Sequence, residues 1–293
     1  MPRKLITFDW AIKKLLRSKA NFGILEGFLS ELLFTDITIV EILESESNKE
    51  TEDNKYNRVD IKVKDASGQY ILVEVQYTRE YDFLHRMLFG TAKVIAEHMK
   101  GGDSFSGISK VISVNIIFFD FGGSTDYIYH GTTTFEGMHT HQILELTEKQ
   151  RELYGPKKIA DLYPEYYIID VKNFDNVARD TLDQWIYFLK NAEIKESFSA
   201  KGLVEANEKL TVLAMSDAER QVYEAFQYEL HHRASQYEGT FVLGKIEGKI
   251  EGKIEGKEEV ARAMNRKGIP VSTISEVTGF AVEEIERMPG DNT

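Results

Sequence analysis

Residues 56–78 constrain the fold of this chain most, because they admit one pairing register and bring two acids face to face in it. Side chains alternate between the two sides of a strand. Val59, Ile61 and Val63 therefore share one side, and Arg58, Asp60, Lys62 and Lys64 the other. In the second strand Ile71, Val73, Val75 and Tyr77 are opposed by Leu72, Glu74 and Gln76 in the same way. A three-residue loop, Ala66-Ser67-Gly68 with Gly68 at positive φ, keeps the apolar sides together. It sets Asp60 opposite Glu74 and Arg58 opposite Gln76. A loop of two or four residues would shift the register by one and mix the faces. Directly opposed Cα atoms lie about 5 Å apart, and two carboxylates at that spacing repel unless a cation lies between them. A hard divalent ion such as Mg2+ suits oxygen donors so placed. A half-exposed hairpin with a solvated polar side fits the same pattern, and the alternation alone leaves both readings open.

Length and composition bound the rest. A chain of 293 residues accommodates a main domain with a sizeable core and appendages. The formal charge of −12 does not suggest a general nucleic-acid binder, so a polyanion would have to be met by a local basic patch. The absence of cysteine excludes disulfides, iron–sulfur clusters and thiolate zinc sites. No run approaches 18 apolar residues and the N-terminus shows no signal-peptide core, so a cytoplasmic protein without membrane association is expected.

Around the hairpin, helical periodicity runs over 8–33, with Asn21 as N-cap of a second helix. A strand is expected over 37–43, a charged loop over 44–55, and a helix over 80–99. The nearly unbroken apolar run from Lys110 to Phe119 predicts a strand buried on both faces. Weaker strands are expected near 126–135, 141–147 and 166–171, and helices over 175–192 and 203–236. This order predicts an α/β fold around a central mixed sheet flanked by helices, with a helical C-terminal extension. The tail repeats Gly-Lys-Ile-Glu from Gly244 and ends as Gly256-Lys257-Glu258-Glu259. A glycine in every turn costs about 1 kcal/mol each against alanine. The repeat is therefore expected to be a marginal helix or linker, supported by self-association. Residues 260–288 outline two short helices about a Gly-Ile-Pro turn that resemble a small helix-turn-helix, but few basic groups mark a recognition helix, which favours a helical hairpin that packs or oligomerises.

The triple Asp60, Glu74 and Gln76 resembles the PD-(D/E)xK nuclease signature, with Gln76 where lysine usually stands. Asp9-Trp10-Ala11-Ile12-Lys13, Ile24 to Leu29, Phe83-Leu84-His85-Arg86, Gly102 to Phe105 leading into Val111 to Val114, and Ile143 to Leu146 are similar in order and spacing to one branch of it. With the repeat and the Thr278-Gly279 tail, they resemble the recombination-promoting nuclease family, also called the PD-(D/E)xK nuclease family transposases. That resemblance implies a restriction-endonuclease-like core and Mg2+- or Mn2+-dependent cleavage of DNA in recombination or mobile-element biology. It implies Asp60, Glu74 and Gln76 as catalytic residues. Asp60, Glu74 and the Val75 backbone carbonyl would be metal ligands, with Asp9 as an additional candidate, and Arg86 a contact to a DNA phosphate. Gln76 can orient a water but carries no charge. Asp9 also has a plain structural reading, as an acid favourable to a helix N-terminus.

The expected division is a nuclease-like domain over 1–195, a helical extension over 196–240, the repeat over 241–259 and a small helical module over 260–293, with a homo-oligomer formed through the C-terminal helical region. The pairs His139/His141 and His231/His232 lack acidic neighbours at ligand spacing and read as surface groups, as do Glu26 and Glu31. Trp185 and the cluster Tyr163/Tyr166/Tyr167 read as core or interface aromatics. The rival to an active nuclease is a protein that keeps the fold and uses its tail for assembly or partner binding.

Overall fold

The structure is a computed structural model; it describes residues 7, 10–11, 19–43, 61–77, 79–99, 102, 104–119, 121–123, 125–155, 158–211 and 215–288. The described residues fall into two compact units, one within Met1–Phe226 and one within Gln227–Thr293.

The first unit is built on a six-stranded mixed sheet. Its strands are β1 (Ile39–Leu43), β2 (Ile61–Asp65), β3 (Tyr70–Gln76), β4 (Val111–Ile117), β5 (Ile128–Gly131) and β6 (Glu165–Asp170), in the order β1-β2-β3-β4-β6-β5. The strands β3, β4 and β6 run parallel, and the pairs at either side of them are antiparallel. A parallel neighbour requires a crossover, which α2 (Phe83–Glu97) supplies between β3 and β4. All seven residues of β4 are buried, as its apolar run predicts.

The hairpin register follows the loop chemistry. Ile61 pairs with Val73, Lys62 with Leu72, Val63 with Ile71 and Lys64 with Tyr70. The turn closes through the Gly68 N–H to the Asp65 carbonyl at 3.1 Å, with Gly68 at φ 87°, and the Asp65 N–H to the Gln69 carbonyl at 3.0 Å.

The odd-numbered side of the hairpin joins the main core. Ile61, Val63, Ile71 and Val73 pack with α1 (Phe22–Leu33) and α4 (Thr181–Asn191), where Phe28 meets Trp185 edge to face at 5.6 Å between ring centroids. The even-numbered side is not solvated. Here α2 lies over it: Tyr70 and Leu72 pack with Val94 and Val111, while Phe83 and Met87 pack with Ile117 and Phe119. Lys62 is buried there and donates to Glu97 of α2 at 3.1 Å. This removes the reading of the hairpin as a half-exposed surface.

Elsewhere the sequence expectations need correction. Residues 141–147 form no strand and carry one isolated bridge, Glu136 to Ile143. Their apolar residues are mostly exposed, so alternation there had no sheet to join. The helix expected over 175–192 begins at Thr181, capped by the Asp180 side chain. A helix α3 (Glu148–Tyr154), not anticipated, starts from a Thr147/Gln150 capping box. The helix expected over 203–236 divides into α5 (Leu203–Lys209) and α6 (Asp217–Arg266). The first expected helix falls largely outside the described residues, as does the 44–55 loop.

α1 is packed tightly against the turn before α5. A Cβ on Gly27 would sit 2.3 Å from the Lys201 carbonyl oxygen and 2.7 Å from the Gly202 Cα. Both obstacles are backbone, so neither can swing away. Gly27→Ala is expected to destabilise the fold by about 1–3 kcal/mol, read as a lower urea midpoint at unchanged m-value.

α6 runs unbroken for 50 residues, and its part in the second unit carries the whole Gly-Lys-Ile-Glu repeat. Its end, with α7 (Val271–Thr278) and α8 (Val282–Arg287), encloses a small core of Ala261, Ile274 and Ile285. No described helix is long and apolar enough to cross a membrane.

Candidate active site

Glu74 and Gln76 stand near the carboxyl end of β3, on the side of the sheet that α2 covers. In open sheets with parallel strands, ligands bind beyond those carboxyl ends. The positioning is a consequence of the crossover: the chain leaves β3, turns through Glu80, and α2 returns over the strand with Arg86 in its first turns. The guanidinium reaches back so that one nitrogen, Nη2, donates to both Glu74 Oε1 and Gln76 Oε1. Its Nη1 donates to Glu80 Oε2 at 2.8 Å. The Arg86 and Glu74 side chains are 16% and 13% exposed, which makes this a largely buried ion pair.

A carboxylate oxygen and an amide oxygen thus converge on one cationic nitrogen. Two oxygen donors aimed at a common point are the donor type that a hard divalent cation takes, so Glu74 and Gln76 fit such an ion. Among the described residues no group of three acid or histidine side chains gathers as a ready-made metal site. Asp60 and Asp9, the other proposed acidic ligands, lie outside the described residues. The register measured over 61–64 is the one that the Asp60–Glu74 pairing requires. Val75, between the two donors, belongs to the same strand.

Two residues near the site went unnoticed in the sequence. Glu80 is one, since an acid in a short connection carries no periodic signal. Asn115 is the other. It pairs in register with Glu74 on the neighbouring strand and is 1% exposed. Its Nδ2 donates to Ser113 Oγ at 2.9 Å and to the Tyr167 carbonyl at 3.2 Å. Its Oδ1 is buried and has no hydrogen-bond partner among the described residues. A polar residue inside the apolar run 110–119 was the available signal.

Other charged clusters are placed differently. Glu165, at the opposite end of the parallel strands, accepts from Lys110, from Tyr167 Oη at 2.9 Å and from His130 Nε2 at 2.5 Å. Burial pushes its carboxyl up, and these hydrogen bonds outweigh that and hold it below the usual range. With every contact satisfied internally, this cluster clasps strands together. His139 and His141 are exposed, and His141 pairs with Glu136. His231 and His232 lie exposed on α6. Glu26 and Glu31 are not idle surface groups: Glu26 accepts from the Ile39 N–H at 2.7 Å and Glu31 from Thr181 Oγ1 at 2.6 Å, fastening α1 to its neighbours. Trp185 is core, Tyr167 is buried, and Tyr163 is partly exposed. A largely apolar cleft of about 350 Å³ lies beside α2, lined by Leu84, Met87, Leu88, His130 and Tyr166 among others.

A search of curated proteins and a search of solved structures each returned no match. The family model described as PD-(D/E)XK nuclease family transposase matches residues 6–238, which include both arms of the hairpin, α2 and the whole sheet. The mixed six-stranded sheet flanked by helices agrees with that α/β nuclease fold. The chain therefore belongs to the PD-(D/E)XK nuclease family transposases and has a nuclease- or transposase-related role.

Proposed function

We propose that the chain is a Mg2+- or Mn2+-dependent DNA endonuclease acting in recombination or mobile-element biology. The observation that carries this is the convergence of Glu74 and Gln76 oxygens at the carboxyl end of β3, beneath α2. In this reading Asp60 and Glu74 would hold the ion with the Val75 carbonyl, with Asp9 as an additional candidate ligand. When bound, the ion supplies Lewis acidity toward a phosphate oxygen and makes a bound water more acidic. The chain's own groups do the rest. The Gln76 amide orients the attacking water. Arg86 pairs with a non-bridging phosphate oxygen, for which the fork of a guanidinium is suited.

The missing lysine at position 76 has a physical answer in this reading. Arg86 brings its positive charge to the Gln76 amide from the neighbouring helix. Charge that the wider superfamily carries on the strand is here carried on α2. Glu74 would hold the ion with the same oxygen that now accepts from Arg86, so in the loaded site the guanidinium would be available to a phosphate.

The domain division at 195, 240 and 259 and assembly through the C-terminal helical region belong to the same proposal. One observation favours the rival reading, a nuclease fold kept for partner binding: the donors are already neutralised by Arg86. A plasmid-nicking assay separates the two. Wild type is expected to nick with Mg2+ or Mn2+ and not with EDTA, and Asp60→Ala is expected to lose at least about a hundredfold, beyond the range typical of outer-shell changes. Equal activity in both proteins would sink the assignment of Asp60, and no nicking by wild type with either ion would leave the rival standing.

A further inference from the structure

The repeat in α6 is a continuous helix despite glycines and like-charge rows that disfavour one. Gly244, Gly248, Gly252 and Gly256 each have open space where a Cβ would be, so no close approach within the chain calls for them. Each costs about 1 kcal/mol against alanine. The period of four also places like charges at i,i+4. Lys245, Lys249, Lys253 and Lys257 form one row, and Glu247, Glu251 and Glu255 another. Like pairs at that spacing are destabilising. The first opposite pair at i,i+4 after Gly244, Glu258 with Arg262 at 3.0 Å, comes only as the repeat ends.

Between the two charged rows runs an apolar ridge. At about 100° per residue, Val242, Ile246, Ile250 and Ile254 make a single i,i+4 row, with lysines on one flank and glutamates on the other. All four are exposed, at 46%, 51%, 54% and 45%. Four β-branched residues in one exposed row, on a helix weakened by glycine and by like charges, need a partner that covers the ridge and answers both charged rows.

We infer that this partner is a second copy of the chain, with the two α6 repeats packed parallel and in register through the Val242–Ile254 ridge. This rests on the assembly proposed above and specifies its geometry. Charge decides the direction. A two-fold axis along the helices sets the lysine row of each copy against the glutamate row of the other, on both sides of the seam. A perpendicular two-fold axis, giving antiparallel helices, would set lysine against lysine and glutamate against glutamate. Ridges of the i±4n kind pack into one another at about −50°, so the contact is confined to the few turns in which the ridge lies.

The chain has no cysteine, so a single introduced one is unique. Full-length Ile246→Cys and Ile254→Cys chains, one carrying a size tag, would be prepared singly and mixed, then treated with a short bis-maleimide. Light scattering of the untreated wild type at tens of micromolar is expected to give two chains. Cross-linking is expected to give 246–246 and 254–254 products, with 246–254 products at least tenfold rarer. A predominant 246–254 product would overturn the parallel geometry while leaving self-association intact. A monomer, or a species larger than two, would overturn the inference at its root. Ile250→Lys, which sets two lysines against each other in the seam, is expected to give a monomer whose helical circular dichroism also falls, and an unchanged dimer would equally overturn it.

Discussion

Glu74→Gln is expected to reduce DNA cleavage by more than about a hundredfold while leaving the fold nearly as stable as wild type. The two effects separate because the substitution keeps shape and removes charge. A glutamine at this position still offers an oxygen to Arg86 Nη2, so the contact that fastens α2 over β3 survives. The loss is that of a charge-assisted bond becoming a neutral one, about 1 kcal/mol. A divalent ion, by contrast, is bound chiefly through carboxylates, and even groups that only support a metal ligand typically cost 10- to 100-fold when removed. Single-turnover cleavage of a supercoiled plasmid, with urea denaturation of the same preparation, reads both quantities. Cleavage within tenfold of wild type would remove Glu74 from the reaction. Loss of both activity and stability would show that its role is structural.

The hairpin was legible in the sequence because two local rules agree: period-two alternation fixes the faces, and a glycine-closed three-residue loop fixes the register. The buried strand β4 was legible for a similar reason, since a run of seven buried residues leaves no face for water. What could not be read was the cover on the even-numbered side of the hairpin. Lys62, Lys64, Glu74 and Gln76 look like a solvated face until α2 is placed over them. The groups that pair with them lie far along the chain, Glu97 at 35 residues from Lys62 and Arg86 at 12 from Glu74. No windowed pattern sees such partners, because each looks like an ordinary exposed charge on its own element. The strand expected over 141–147 failed for the converse reason: its local pattern was adequate, but the segment makes only an isolated bridge, Ile143 to Glu136, and leaves Ile143 and Leu144 exposed. The glycine repeat illustrates a third limit. Propensity marks it as a weak helix, and only the placement of its charged rows suggests what would hold it.

Arg86→Ala is expected to lower the stability of the metal-free protein by about 3 kcal/mol, and divalent ions are expected to recover much of that loss. Removing one member of a largely buried ion pair takes that compensating charge from the other, which typically costs 3–5 kcal/mol. The lower end applies here because the pair keeps some access to solvent, at 16% and 13% exposure. The variant removes the one cationic nitrogen that the Glu74 carboxylate and the Gln76 oxygen share. An ion drawn to those oxygens would take over the neutralising role, so the melting temperature of Arg86→Ala should rise with Mg2+ or Mn2+ by more than that of wild type, in which the ion must first displace the guanidinium. Arg86→Lys should fall between the two, since it restores the charge but cannot fork between Glu74, Gln76 and Glu80. Thermal melts across a metal titration make the comparison without any assay of cleavage. Equal metal-induced shifts in wild type and Arg86→Ala would mean that the ion does not compete for the oxygens held by Arg86, and the donors assigned to it would have to be sought elsewhere on the sheet.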